Sequence, residues 1–270
     1  WGFLSVAVGE PVRSLSVQLY TQIKVWVYYL FLFVSPYNLS VEHFFSEGSS
    51  LADVRVILAL VFLISLAYMM IFRGWSIVKL GLSWSVVALI PASFIPLIVI
   101  LNEHRVYLAI IGIGMVTASY WQNFYFRKRK LALATFGVYF VFMQLLSFQR
   151  GSVWENEESL WRNATLKSPK SLKSQLRWAD SLVKIHDYEG AEAAYLRVLD
   201  MRPGHVAAGN NLGQLYVDIG AFEKAEDVFC AVILHDPKVL QARLNLAQLF
   251  LRTGRWRDAE KNSREALRHG

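Results

Sequence analysis

Three prolines, Pro169, Pro203 and Pro237, stand 34 residues apart in the second half of the chain. A period of this length is typical of a structural unit that repeats along the chain and packs on its own copies. In such an array each unit contacts only its neighbours, so the fold is a stack of units around a continuous core. The period therefore predicts a repeat architecture for residues 151–270.

The residues between these prolines follow the helix-pair pattern of tetratricopeptide repeats, of which the central copy reads "NNLGQLYVDIGAFEKAEDVFCAVILHDP". Small residues stand where two helices must approach, large apolar residues fill the gap, and glycine or proline ends each helix. The pattern residues, copy by copy, are Trp161, Ala164 and Pro169; Trp178, Ala179, Leu182, Ala191, Tyr195 and Pro203; Leu212, Gly213, Tyr216, Gly220, Ala225, Phe229 and Pro237; and Leu246, Ala247, Phe250, Gly254, Ala259 and Ala266. We predict a partial repeat over residues 151–171 and repeats over 172–205, 206–239 and 240–270.

His186 and Cys230 belong to residue types that often serve in catalysis or metal binding, but the sequence favours a structural role for each. His186 replaces the turn glycine of its repeat, and we predict a structural role for it. Cys230 is the single cysteine of the chain, so it cannot form an intrachain disulfide, and we predict a small core residue. The histidines of this half have no cysteine or acidic residue at metal-ligand spacing, so we predict no metal site.

Amide side chains occur repeatedly on the predicted first helices of the repeats. Stacked repeats curve into a groove that receives a peptide or a partner helix. The candidate groove residues are Asn210, Asn211, Gln214, Asn245 and Gln248. Two interpretations stay open: the amides contact the backbone of a bound polypeptide, or they are solvated polar positions.

The first half of the chain is far more apolar than the second. Residues 1–150 carry 11 Lys and Arg and 5 Asp and Glu, whereas residues 151–270 carry 17 and 16. Together with a hydrophobic content of 54%, this division predicts a membrane domain over 1–150 and a separate repeat domain over 151–270. The excess positive charge lies in the membrane half, where it orients loops, which argues against nucleic-acid binding.

Five uncharged runs in the first half approach the ~20 residues that a helix needs to cross ~30 Å of hydrocarbon. They are Val25–Val41, Val56–Phe72, Leu80–Asn102, Val106–Phe126 and Leu131–Gln149. We therefore predict an all-α fold, with about five transmembrane helices followed by the repeat solenoid. Pro91 and Pro96 lie inside the third run and indicate either a kink or a broken helix end.

The basic loops orient these helices. "RKRK", from Arg127 to Lys130, is predicted to be cytoplasmic because short cytoplasmic loops retain positive charge. The same threading places Arg73 and Lys79 on that side and the acidic loop over residues 35–53 on the other. It also places residues 102–105 and the whole repeat domain on the non-cytoplasmic side.

The combination of membrane spans, an outward-facing tetratricopeptide array and the segment "NEHRVYLAIIG" resembles the transmembrane-and-TPR O-mannosyltransferase family and its bacterial relatives. Two further segments are similar to that family: "TQIKVWVYYLFLFVSPYNLSVEH", from Thr21 to His43, and "LGLSWSVVALIPASFIPL", from Leu80 to Leu97. The resemblance covers nearly the whole chain. It implies transfer of a sugar from a polyprenyl or dolichyl phosphate donor to a protein hydroxyl on the outer or lumenal side.

The resemblance also implies a donor site. Arg105 would bind the lipid phosphate, because a guanidinium offers forked donors to phosphate oxygens. Glu103 would orient Arg105 or a sugar hydroxyl, and His104 would assist. Tyr107 matches the same motif, and Glu42 and His43 are predicted to share that outer face. The alternative is an ordinary interfacial loop in which Glu103 and Arg105 pair with each other.

The implied protein is an integral membrane protein of the bacterial inner membrane, or of the endoplasmic reticulum in a eukaryote. Its partners would be the lipid bilayer and a polypeptide in the groove. No cofactor is evident in the sequence itself; the resemblance implies a polyprenyl- or dolichyl-phosphate sugar donor and leaves a metal requirement open. We expect the chain to be part of a longer protein and to lack turnover by itself, because no convincing base for the acceptor hydroxyl is present. The alternative function is a non-catalytic, membrane-anchored scaffold for protein assembly.

Overall fold

The computed structural model describes residues 14–34, 36, 39–41, 46–48, 50–73, 76–94 and 106–269. The chain divides into two compact units, residues 1–151 and 152–270. The helices of the first are α1 (Leu15–Val34), α2 (Val54–Arg73), α3 (Ser76–Phe94), α4 (Val106–Arg127) and α5 (Arg129–Val153). Those of the second are α6 (Glu157–Lys167), α7 (Leu172–Lys184), α8 (Tyr188–Met201), α9 (Val206–Asp218), α10 (Phe222–His235), α11 (Leu240–Arg252) and α12 (Trp256–His269).

Helix α1 corrects the first predicted span, because it ends at Val34 and begins at Leu15, well before Val25. The search for uncharged runs excluded its first half on account of Lys24. In the structure that half packs inward, and the side chains of Gln18, Thr21 and Gln22 are at most 4% exposed. A polar face can belong to an apolar helix when the polar groups are buried against other parts of the protein.

Lys24 is itself buried and fixes the loop that precedes α2. Its Nζ donates to the carbonyl oxygen of Ser46 at 3.0 Å and lies 3.7 Å from Asp53 Oδ2. One turn earlier, Thr21 Oγ1 accepts from the backbone N–H of Gly48 at 2.8 Å. Hydrogen bonds from Lys24 and to Thr21, together with the Lys24–Asp53 ion pair, thus hold the described part of the loop to α1.

Helices α3 and α4 form the closest pair in the first unit, and they cross at two glycines. A Cβ placed on Gly112 would lie 2.2 Å from the carbonyl oxygen of Gly81, and one on Gly81 would lie 2.5 Å from that of Gly112. Ser85 Oγ donates to the carbonyls of Gly81 and Ala109 at 3.0 and 2.9 Å. Small residues and a hydroxyl bond of this kind are how apolar helices associate without a hydrophobic driving force.

By length and composition, α5 is the one helix among the described residues that is long and apolar enough to cross a membrane. Shorter apolar segments occupy α2 over Val54–Met69 and α3 over Ser76–Pro91. Many large apolar side chains of the first unit are exposed, including Leu58, Val138 and Phe148. Five crossings stay a prediction. Pro91 lies in the last turn of α3, and Pro96 falls outside the described residues.

The second unit consists of α6 followed by three helix pairs, one pair in each predicted repeat. Capping residues fix several helix starts: Ser171 Oγ accepts from Ser174 N at 3.2 Å, and Asp187 Oδ1 accepts from Gly190 N at 3.0 Å. Such side chains satisfy N–H groups that the helix itself leaves unpaired. The core runs through all three pairs and contains Ala179, Val198, Leu212, Ala225, Phe229 and Phe250.

The pattern residues of the repeats pack between the two helices of a repeat, or form its turn, as the repeat pattern predicts. Phe229 is fully buried, and a Cβ on Gly213 would lie 2.3 Å from its Cε1 atom. A glycine is needed there because the two helices of this repeat approach so closely. Gly220 and Gly254 adopt positive φ angles of 79° and 75°, and His186, at the same repeat position, has φ of 63°. The structural role predicted for His186 is confirmed.

The prediction for Cys230 is wrong, because its side chain is exposed. It follows Phe229 on α10, and neighbouring residues on a helix do not share a face. Since the Phe229 ring points into the core, Cys230 lies on the solvent side.

Candidate functional site

The first helices of the repeats, α7, α9 and α11, form one continuous face of the second unit. Neighbouring first helices, α7 with α9 and α9 with α11, contact each other more closely than the second helices α8, α10 and α12 contact one another. In a stack of helix pairs, the helices that lie closer together are on the inside of the curve. The first helices therefore line the concave face, where the sequence places the candidate groove.

Side chains on this face recur at the 34-residue period and form two rows. The first row contains Arg177, Asn211 and Asn245, and the second contains Asp180, Gln214 and Gln248. Each row has one member on each first helix. We call these six residues the amide ladder, because four of the six are amides.

Asp180 is the acceptor that connects α7 to its neighbours. Its Oδ1 accepts from Tyr195 Oη at 2.8 Å and from Asn211 Nδ2 at 2.9 Å. Its Oδ2 lies 3.6 Å from an Arg177 guanidinium nitrogen. Burial, followed by the bond to Asp180, raises the pKa of Tyr195. The phenol therefore stays protonated and acts as a donor at neutral pH.

A second connection runs between α9 and α11. Asn245 Nδ2 donates to Asn210 Oδ1 at 3.4 Å, and Asn245 Oδ1 accepts from Gln241 Nε2 at 2.9 Å. On α9, Gln214 Nε2 donates to Asp218 Oδ1 at 2.8 Å. Neighbouring repeats are thus joined by side-chain bonds across the concave face, in addition to the apolar core beneath it.

The predicted groove residues differ in how much of their bonding capacity the protein uses. Asn210 is 7% exposed and, among the described residues, its Nδ2 has no acceptor, whereas Asn211 donates from Nδ2 and its Oδ1 has no donor there. Gln214 is exposed with Oε1 unused, and Gln248 is exposed with both ends unused, within the part of the chain that the structure describes. Three of the predicted residues therefore join the protein together, and Gln214 and Gln248 present their amide oxygens to solvent.

Sequence reasoning missed Arg177, Asp180 and Gln241. A search for amides passes over the charged pair, although both charged residues lie 34 residues from predicted members of the ladder. Gln241 lies in the first turn of α11 and donates to Asn245 one turn later. The repeat period, applied to every polar position, would have found the charged pair.

Most of the candidate donor site cannot be compared with the structure. Glu42, His43, Glu103, His104 and Arg105 lie outside the described residues, and their proposed phosphate contact stays a prediction. Tyr107 lies in the first turn of α4 and is 62% exposed.

A cavity of about 600 Å³ lies between α1, α2, α3 and α4 of the first unit. Its side chains with polar atoms, among the described residues that line it, are Gln22, Trp26, Tyr29, Ser85 and Ser93. The hydroxyls of Ser85 and Ser93 donate to backbone carbonyls of their own helices, at 3.0 and 2.9 Å. The described residues of these walls suit hydrocarbon, and none of them is a Lys or Arg that could bind a phosphate. Within the described ranges, no group of three or more His, Cys, Asp or Glu side chains could hold a metal ion.

Comparison with known proteins supports the repeats alone. Residues 176–233 match the tetratricopeptide repeat family. That segment contains most of α7, all of α8 and α9, and nearly all of α10. The prediction of tetratricopeptide repeats is thus confirmed for this segment. The resemblance to O-mannosyltransferases rests on the sequence motifs and stays a prediction.

Two solved structures that are similar to part of this chain show the extent of the match. The crystal structure of MamA protein is 15% identical with a TM-score of 0.40, and the match covers 71% of this chain and 91% of that chain. The second TPR of Spaghetti (RPAP3), bound to the HSP90 peptide SRMEEVD, is 20% identical with a TM-score of 0.35 over 38% of this chain and 95% of that chain. A search of curated proteins found no match.

Proposed function

We propose that this chain is a membrane-anchored scaffold whose tetratricopeptide array binds a polypeptide partner. The observation that carries the proposal is the amide ladder, in which Asn211, Gln214 and Gln248 keep amide groups without a partner among the described residues, on the concave face of α9 and α11. Exposed amides at matching positions of successive repeats offer both donors and acceptors to a ligand that runs along the stack. A polypeptide has that form, because donors and acceptors alternate along its backbone.

The membrane anchor is supported by the first unit. Helix α5 has the length and composition of a membrane span, and α2 and α3 contain apolar segments. Exposed side chains of these helices are predominantly apolar, which suits contact with hydrocarbon. We further propose that the repeat domain lies on the non-cytoplasmic side, because the basic segment "RKRK" lies where α4 ends and α5 begins, and the other end of α5 leads into the repeats.

The groove is tested by photo-crosslinking in native membranes. In the test variant of the full chain, a photo-reactive amino acid replaces Gln248, which is exposed on α11. In the control variant it replaces Glu223, which is exposed on the second helix α10. We expect polypeptide adducts from the first position, and we expect the double variant Gln214→Ala/Asn211→Ala to reduce their yield. Equal adduct yields from both positions, or no effect of the double variant, contradict the proposal.

The anchor and its orientation are tested by extraction and proteolysis. We expect the chain to stay in membranes washed with alkaline carbonate. In sealed vesicles of known orientation, we expect protease to cut the repeat domain only from the non-cytoplasmic side. Release by carbonate contradicts the anchor, and digestion from the cytoplasmic side contradicts the orientation.

A further inference from the structure

We infer that α5 associates side by side with α5 of a second copy of this chain, through a seam of small and polar residues centred on Gln144. The inference goes beyond the proposed scaffold function and rests on its membrane anchor, because it requires α5 to lie in hydrocarbon. It follows from two observations on α5: an amide without a partner, and glycines spaced seven residues to either side of that amide.

Helix α5 packs on little of the described protein. Of its 25 residues only Ala132 is buried. Near the start of the helix, the ring of Phe136 lies 6.0 Å from the ring of Trp121 on α4. Beyond that contact most side chains of α5 are exposed and none is buried. A membrane helix with so few contacts in its own protein has whole faces available for packing against another helix.

Gln144 distinguishes one of these faces. Its side chain is exposed, and its amide has no hydrogen-bonding partner among the described residues. It lies about 6 Å beyond the midpoint of the uncharged run over residues 131–149, which is well inside the ~30 Å of a hydrocarbon core. An amide at that depth has no water to bond, and leaving it unpaired is costly. A donor and an acceptor on a neighbouring helix remove this cost.

Small residues flank Gln144 on the same face of α5. Gly137 precedes it by seven residues and Gly151 follows it by seven, and a Cβ on either glycine would meet no described atom within 4 Å beyond its own helix backbone. A seven-residue spacing keeps one face of a helix against its partner over its length. Phe140 and Ser147 fill the intermediate positions of this spacing. We call Gly137, Phe140, Gln144, Ser147 and Gly151 the α5 seam, and all five are exposed.

A second copy of the chain is the partner that the α5 seam fits. Copies of one membrane protein share one orientation, so two α5 helices related by a two-fold axis run parallel and each seam residue meets its own counterpart. Glycine then faces glycine, which lets the two backbones approach. Gln144 faces Gln144, and an amide complements itself because it carries both donors and acceptors. One polar residue at such a position also fixes the register of the pair.

Disulfide crosslinking in native membranes tests the seam. Cys230 is the single cysteine of the chain, so Cys230→Ser gives a chain without thiols, in which one cysteine is introduced at a time. Ser147→Cys places a thiol of similar size on the seam, and Phe142→Cys places one on the opposite side of α5. We expect at least about five times more disulfide-linked dimer from the seam cysteine, because a disulfide bridges Cα atoms no more than about 7 Å apart.

Equal dimer yields from the two cysteines, or no dimer from either, overturn the inference. A crosslink to a different protein in place of the dimer also overturns it. The same membranes are washed with alkaline carbonate to separate this failure from that of the proposed function. A chain that stays in the membrane without a seam dimer contradicts the inference alone, whereas a chain released by carbonate contradicts the anchor as well.

Substitutions of Gln144 test the amide itself. Energy transfer between labelled copies in lipid vesicles, at several protein-to-lipid ratios, measures the Kd of the dimer. We expect Gln144→Leu to raise this Kd at least about threefold, and we expect Gln144→Asn, which keeps an amide, to restore part of the affinity. The matched control is Thr135→Leu on the opposite side of α5, where the hydroxyl donates to the carbonyls of Leu131 and Ala132 at 2.9 and 3.0 Å. An unchanged Kd for Gln144→Leu, an equal effect of Thr135→Leu, or a chain that is monomeric at every ratio overturns the inference.

Discussion

Asn211 Nδ2 donates to Asp180 Oδ1 at 2.9 Å, and this bond connects the first helices of two successive repeats. The same carboxylate oxygen accepts from Tyr195 at 2.8 Å. One side chain on α7 is thus the acceptor for donors on α8 and α9. This arrangement makes the polar face of the array a structural element as well as a candidate binding surface.

Replacing Asp180 by Ala is expected to destabilise the protein by about 1–3 kcal/mol, because two part-buried donors lose their acceptor. Chemical denaturation of the purified chain in detergent, followed by circular dichroism of the repeats, measures the change. The matched control is Asp218→Ala, which removes an acceptor from one exposed amide, Gln214. A loss no greater than that of the control contradicts the role assigned to Asp180.

His186 has φ of 63° at the position where the next two repeats have glycine. A residue with a Cβ is disfavoured in this left-handed conformation by about 1–2 kcal/mol. We therefore expect His186→Gly to raise the free energy of unfolding by about 0.5–1 kcal/mol, after the entropy cost of a glycine is subtracted. Gly220→Ala is the reverse substitution and is expected to destabilise. Thermal unfolding measures both, and stabilisation by Gly220→Ala runs against this explanation.

Gly112 stands where α4 crosses α3, and its missing side chain is what allows the approach. An added Cβ would lie 2.2 Å from the backbone oxygen of Gly81, and backbone cannot yield as a flexible side chain does. We expect Gly112→Ala to cost about 1–3 kcal/mol in thermal unfolding in detergent. Gly114→Ala, on the same helix but with no described atom beyond its own helix backbone within 4 Å of the added Cβ, is the control and is expected to be neutral or stabilising. Equal losses in the two variants exclude this close packing as the cause.

The repeat domain was predictable because the same residue pattern recurs every 34 residues. Aligning the copies places His186 at the turn position of Gly220 and Gly254, and it places Gly213 and Phe229 at packing positions of the pattern. The structure shows that turn and that contact. The cross-repeat bonds of Asp180 were not predictable in this way. They depend on which side chains of neighbouring repeats come within reach, and that is a property of the packed structure.

The first unit shows where local composition misleads. A search for uncharged runs placed the first span after Lys24, but the structure buries Lys24 at 8% exposure within α1. Its carbonyl and carboxylate partners are Ser46 and Asp53, which are distant along the chain. The hydrophobicity of a segment contains no information about partners that are distant along the chain. A buried and paired lysine such as Lys24 is therefore mistaken for the end of a membrane span.

His205 caps α9 in its neutral form, and this makes the stability of the array depend on pH. Its Nδ1 accepts from the backbone N–H of Ala208 at 3.2 Å, which requires an unprotonated nitrogen. Burial lowers the pKa of His205, and the positive charge of Arg202 lowers it further. The folded pKa is therefore below the value of about 6.5 for an unfolded histidine.

The sign of the effect follows from this order of pKa values. Above about pH 6.5 the imidazole is neutral in both states and the cap is intact. As the pH falls below that value, the unfolded chain takes up a proton first, so the free energy of unfolding decreases until the folded pKa is passed. His205→Ser copies the cap that Ser171 provides for α7 and does not titrate. We expect the two proteins to differ by at most about 1 kcal/mol at pH 7.5 and the serine variant to gain relative to wild type at pH 5. Denaturation curves at both pH values measure this difference, and a gap between the two proteins that does not change with pH contradicts a neutral histidine cap.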